Sequence, residues 1–123
     1  MAGELYISVG GVDASQVDTD LMNRLKLRTG ETDEELLMDY ILSAKSAINS
    51  RRFPYHDWPV DDNGNTYVEE RYRDLQMRIA LDLYNKAGAE GETSHSENGI
   101  SRGYESSWIS EQLLSEVTPL ARI

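Results

Sequence analysis

Thr32-Asp33-Glu34-Glu35-Leu36-Leu37-Met38-Asp39-Tyr40-Ile41-Leu42-Ser43-Ala44-Lys45-Ser46-Ala47-Ile48-Asn49-Ser50-Arg51-Arg52-Phe53-Pro54 reads as one amphipathic helix with both ends marked. Thr32 and Glu35 have the spacing of a capping box, in which each side chain satisfies a free backbone N–H of the first turn. Asp33, Glu34 and Glu35 place negative charge at the positive end of the helix dipole, and Arg51 and Arg52 place positive charge at the other end. Leu37, Tyr40, Ile41, Ala44, Ala47 and Ile48 form one apolar stripe. Pro54 stops the helix, because it lacks an N–H and disfavours helical backbone in the residue before it.

Working downstream, Phe53 to Asn65 is a loop with three aromatic residues and two prolines, expected to pack on the helices. A second capping box, Thr66 with Glu69, opens a third helix whose buried face is Val68, Tyr72, Leu75, Ile79, Leu83 and Ala87. Glu69–Arg73, Asp74–Arg78 and Asp82–Lys86 are acid-first i,i+4 pairs that agree on its register. Gly88 is its expected C-cap. Residues 89–107 are polar and rich in Ser and Gly, with an Asn98-Gly99 hairpin turn. Such a hairpin has little to bury by itself and is a candidate for ordering by a neighbouring subunit. A short helix then starts at Ser110, with Ile109 and Leu114 placed as a hydrophobic staple, and Pro119 ends it.

Upstream, Leu21, Met22, Leu25 and Arg28 predict a short helix over about 19–28, capped from among Asp18, Thr19 and Asp20 and terminated near Gly30. Residues 1–17 show no helical period and read as an extended arm or weak strand. The expected fold is therefore all-α: a small bundle of about four helices with a long polar loop or β-hairpin. An N-terminal arm (1–17) precedes a single helical domain (18–123).

The chain has 123 residues, enough for one domain with a modest core, and its apolar fraction of 39% makes that core thin. A thin core leaves apolar surface to be covered by partners. With no cysteine, disulfides and thiolate chemistry are excluded. No apolar run approaches the ~20 residues of a membrane span, and the first residues lack the basic start of a signal peptide. An intracellular, reducing compartment is the default reading. Twenty-two acids against 12 bases give a formal charge of -10, which repels phosphate backbones and argues against specific nucleic-acid binding.

Catalytic constellations do not survive inspection. His56 lies near Asp57, Asp61 and Asp62, but the spacing matches no standard metal site, and His95 is on another loop. A calcium loop starting at Asp61 needs Gly and Glu where Thr66 and Tyr72 stand. No phosphate-binding glycine loop is present, and Ser94-His95-Ser96 is no triad, since neighbours in a strand point to opposite faces. Neither a cofactor nor a metal is expected, and the chain reads as a non-enzyme.

Three blocks carry a family resemblance: Leu25-Lys26-Leu27-Arg28 followed by Thr32 to Leu37; Ala44-Lys45-Ser46-Ala47-Ile48; and the segment from Ala80 to Glu105, of which Glu90 to Glu105 is the most specific. From about Leu21 to Pro119 the chain resembles the head-tail connector proteins of long-tailed bacteriophages and prophages, also called head-completion or adaptor proteins. Met1 to Asp20 departs from the short N-terminus usual in that family. The resemblance implies an all-α fold and assembly with copies of itself into a twelvefold ring. That ring docks beneath the portal protein and extends the DNA channel, which DNA traverses without specific binding. It links the filled head to the next connector, stopper or tail component.

On that basis the chain is expected in the virion at the head-tail junction, and in the host cytoplasm during assembly. The second and third helices would form a rigid wedge. The ring contacts would involve Glu92, His95, Glu97, Ile100, Arg102, Tyr104, Arg73 and Arg78. Portal docking would use the 108–123 segment through Trp108, Ile109, Leu113, Leu114, Leu120 and Ile123. The competing assignment is a small phage assembly or regulatory module that never enters the particle.

Overall fold

The computed structural model describes residues 11–55, 57–90 and 109–120. Among these the protein is mostly helical: α1 (Ala14–Thr29), α2 (Glu34–Arg52), a 3-10 turn (Glu70–Tyr72) running into α3 (Arg73–Glu90), and the single-turn α4 (Glu111–Leu114). The only extended pairing among them is one antiparallel bridge, Val60 with Thr66. The hairpin expected over 89–107 and the arm's residues 1–10 lie outside the described residues, apart from the end of α3.

α1, α2 and α3 pack against one another around a core of Leu21, Met22 and Leu25 from α1, Leu37, Ile41, Ala44 and Ile48 from α2, and Leu75, Met77, Ile79, Ala80 and Leu83 from α3. Ile109, Leu114 and Val117 close that core from the C-terminal segment. The stripe anticipated for α2 is the one that packs. α3 buries more than its single predicted stripe, because α1, α2 and the C-terminal segment all lie against it. Gln76, Met77 and Ala80 are therefore buried off the predicted face.

 The three positions (Gln76, Met77 and Ala80) have essentially no exposed surface.

Three helix starts differ from the sequence expectation. α1 begins at Ala14, so residues 14–17 belong to the helix and not to the arm. Its N-cap is Asp13, whose carboxylate accepts from the Gln16 N–H. The extra turn is held because Ala14 is buried and Asp18, read as a possible cap, is a buried ion-pair partner. α2 is capped by Asp33, which accepts from the Leu36 N–H, and not by a Thr32–Glu35 box. Thr66 caps nothing: it sits in the bridge to Val60, and the chain turns helical only at Glu70. Glu69, the other half of that expected box, is taken by Arg52 at 2.7 Å, while Arg73 donates to the Val68 carbonyl, so their i,i+4 pair does not form.

The ends fare differently. Gly30 terminates α1 with φ 74°, a left-handed conformation that glycine adopts without a Cβ penalty, and its N–H reaches the Lys26 carbonyl. α2 stops at Arg52, before Pro54. α3 passes through Gly88 to Glu90. Ser110 is the N-cap of α4 but its hydroxyl bonds Asp82 instead of its own helix, and the helix ends at Leu114, well before Pro119. The 53–65 loop packs only in part: Phe53 and Trp58 are half-buried, whereas Tyr55 is exposed.

Candidate interaction surfaces

Residues 109–120 form a strap along α2 and α3. At its start the Ser110 N–H and hydroxyl both donate to Asp82, each at 3.2 Å. Ile109, Leu114 and Val117 turn inward, so the apolar spacing of the strap serves the monomer core. Arg51 pairs with Glu111 at 3.0 Å, and Arg78 grips both carboxylate oxygens of Glu116 at 2.8 Å. That second pair lowers the Glu116 pKa and raises that of Arg78, in each case chiefly through the shared hydrogen bonds. Both pairs are well exposed and contribute little stability individually.

The distal end of the strap is held more deeply. The Arg52 guanidinium is nearly buried, donating to Glu69 at 2.7 Å and to the Thr118 carbonyl at 2.8 Å. It also lies 5.6 Å from the Tyr72 ring centroid and 5.8 Å from that of Phe53, within cation–π range. The Thr118 N–H donates to the Tyr72 hydroxyl at 3.1 Å, and the Leu120 N–H to the Arg52 carbonyl at 2.8 Å. One arginine thus joins the end of α2, the start of α3 and the strap.

A second polar lock ties α1 to α2 and to the loop. Lys45 donates to Asp18 at 2.7 Å and to the Thr66 carbonyl at 2.9 Å, and Asn49, one turn on, donates to the Tyr67 carbonyl at 3.1 Å. Asp61 is a third fastening. Its carboxylate accepts from the N–H groups of Ala14, Asn63 and Asn65, all at 2.9 Å. Those backbone hydrogen bonds, the one from Ala14 foremost, hold its pKa below the ordinary value. The oxygen-rich run from Asp61 to Asn65 is therefore a turn, closed by Gly64 at φ 84°, that fixes the start of α1.

The residues singled out from sequence fall into three groups. Arg73 and Arg78 are already engaged within the chain, with the Val68 carbonyl and with Asp74 and Glu116. Ile109 and Leu114 are buried, Leu113 is half-buried, and Leu120 is 48% exposed. Glu92, His95, Glu97, Ile100, Arg102, Tyr104, Trp108 and Ile123 lie outside the described residues, as does His56. Among the described residues no group of three His, Asp or Glu side chains could hold a metal. No described helix is long and apolar enough to cross a membrane. Among the described residues the exposed large apolar side chains are Leu27, Leu42, Tyr55, Val60 and Leu120. Leu27 and Leu42 fell off the predicted stripes, and that off-stripe position was the signal available in the sequence.

Residues 14–114 match the family described as phage gp6-like head-tail connector protein. The chain belongs to that family. The match starts at the first residue of α1 and ends at the last residue of α4, so it takes in every helix of the connector described above. No curated protein and no solved structure matches the connector chain.

Proposed function

We propose that this connector assembles with copies of itself as a ring beneath the portal, extends the DNA channel and joins the filled head to the next connector or tail component. The observation that carries this reading is family membership across every described helix. Two physical features support it. The fold is cross-tied by the Arg52, Lys45 and Asp61 fastenings, which suits a rigid wedge whose shape sets a ring's curvature. A chain of net charge -10 offers a passing duplex few attractive contacts, as a channel wall requires.

In this reading the segment between α3 and Ile109 contributes a contact to the neighbour. Leu120 and the residues after it dock on the portal, while Ile109 and Leu114 act indirectly by anchoring the strap. Removing residues 120–123 then abolishes portal binding and leaves the monomer folded. Quantitative mass spectrometry of purified virions tests the reading against that of a non-virion assembly factor. A connector is present in ring-sized stoichiometry to the portal, and its absence from particles would refute the proposal.

A further inference from the structure

Leu27 is 85% exposed, the most exposed large apolar side chain among the described residues. A helix turns about 100° per residue, so Leu27, two positions past the fully buried Leu25, points away from the core. Arg24 stands one turn before it and Arg28 beside it. Arg24 only approaches Asp74, at 4.0 Å with both side chains at least half exposed, and Arg28 is exposed with no acidic partner among the described residues. In a chain with 22 acids and 12 bases, Arg28 thus sets a cation beside an apolar knob.

The outer face of α2 has the opposite character. Glu35, Leu42 and Ser46 follow at helical spacing along the side away from Leu37, Ile41, Ala44 and Ile48; Glu35 is exposed and Leu42 is 41% exposed. On α3, Arg78 is tied to Asp74 and to Glu116 of the strap. One chain thus carries two different patches, each pairing a leucine with a charge, of opposite signs. Contact between unlike patches is heterologous, and it repeats from copy to copy as a closed ring requires. It also places opposite charges together where two strongly acidic chains would otherwise repel.

We infer that the Leu27–Arg28 knob of one copy seats on the Glu35–Leu42 face of the next. The inference rests on the ring reading above and names the surfaces that form it. Because the chain has no cysteine, single cysteines report the contact cleanly. Leu27→Cys and Leu42→Cys chains, one of them isotopically labelled, are mixed, assembled on the portal and joined with a short bismaleimide. The expected product is the 27–42 heterodimer, well in excess of 27–27 and 42–42. Rings that form without a 27–42 product overturn this contact and leave the ring reading standing, whereas the absence of any assembly overturns both. Arg28→Glu provides a second reading at an exposed position that folding does not need. It raises the concentration for half-assembly about tenfold, and Glu35→Arg in the same chain restores it. Unchanged assembly by Arg28→Glu overturns the contact.

Discussion

Replacing Arg52 by alanine should loosen the strap and destabilise the whole bundle. The side chain makes a charge-assisted hydrogen bond to Glu69 and another to the Thr118 carbonyl, and it contacts the Tyr72 and Phe53 rings. Breaking a buried ion pair costs about 3–5 kcal/mol when the partner stays buried. Glu69 is 29% exposed and regains some water, which lowers the expected loss to about 2–4 kcal/mol. For a domain of this size that is a fall in melting temperature of roughly 10 °C. Denaturant titration measures the loss. Hydrogen exchange locates it, because the Thr118 and Leu120 amides lose protection when their acceptors on Tyr72 and Arg52 shift. Arg52→Lys keeps the charge but not the fork and recovers only part of the loss. A cost below about 1 kcal/mol, with unchanged exchange at Thr118 and Leu120, would refute the argument that Arg52 is the keystone of the strap.

Asp18→Ala should cost about 3 kcal/mol in urea titration, since it strands Lys45 in a site where both side chains are about one-tenth exposed. Asp18→Leu combined with Lys45→Met should cost less than Asp18→Ala alone, because no charge is then left behind. Gln76 has no exposed surface, its amide nitrogen donates to the Ile41 carbonyl, and its side-chain oxygen has no partner among the described residues. Gln76→Met should therefore change stability by less than about 1 kcal/mol, whereas Gln76→Glu should be strongly destabilising in the same assay. Asp61 and Glu116 bind their protons less tightly in the folded chain than in the unfolded one. Their contribution to stability is complete above their ordinary values of 3.8 and 4.5 and drains as pH falls through the lower folded values. Stability measured against pH should show a shallower acid limb in Asp61→Asn than in the parent chain.

The helix ends set by backbone rules were legible: Gly30 needs only its own conformation, and Pro54 forbids helix by itself. The helix starts were less so, because several adjacent residues could cap and the choice was made elsewhere. Asp33 outcompeted its neighbour Thr32, and Glu69 was drawn away from the Thr66 box by Arg52, 17 positions earlier. Asp18 looked like a cap because its partner, Lys45, lies on another helix. The strap was half legible. The spacing of Ile109 and Leu114 predicted their apolar role, but not that they face their own core, since that depends on the groove between α2 and α3. The buried Gln76, Asn49 and Arg52 left no periodic trace, because their hydrogen-bond partners are carbonyls and acids distant in sequence. The two exposed leucines were visible only as interruptions of otherwise polar helix faces.

The most direct test of the central claim is electron microscopy of the purified chain mixed with its portal. The account predicts a closed ring of this chain seated beneath the portal, coaxial with its channel. A portal that stays bare at saturating concentrations of folded protein would contradict it.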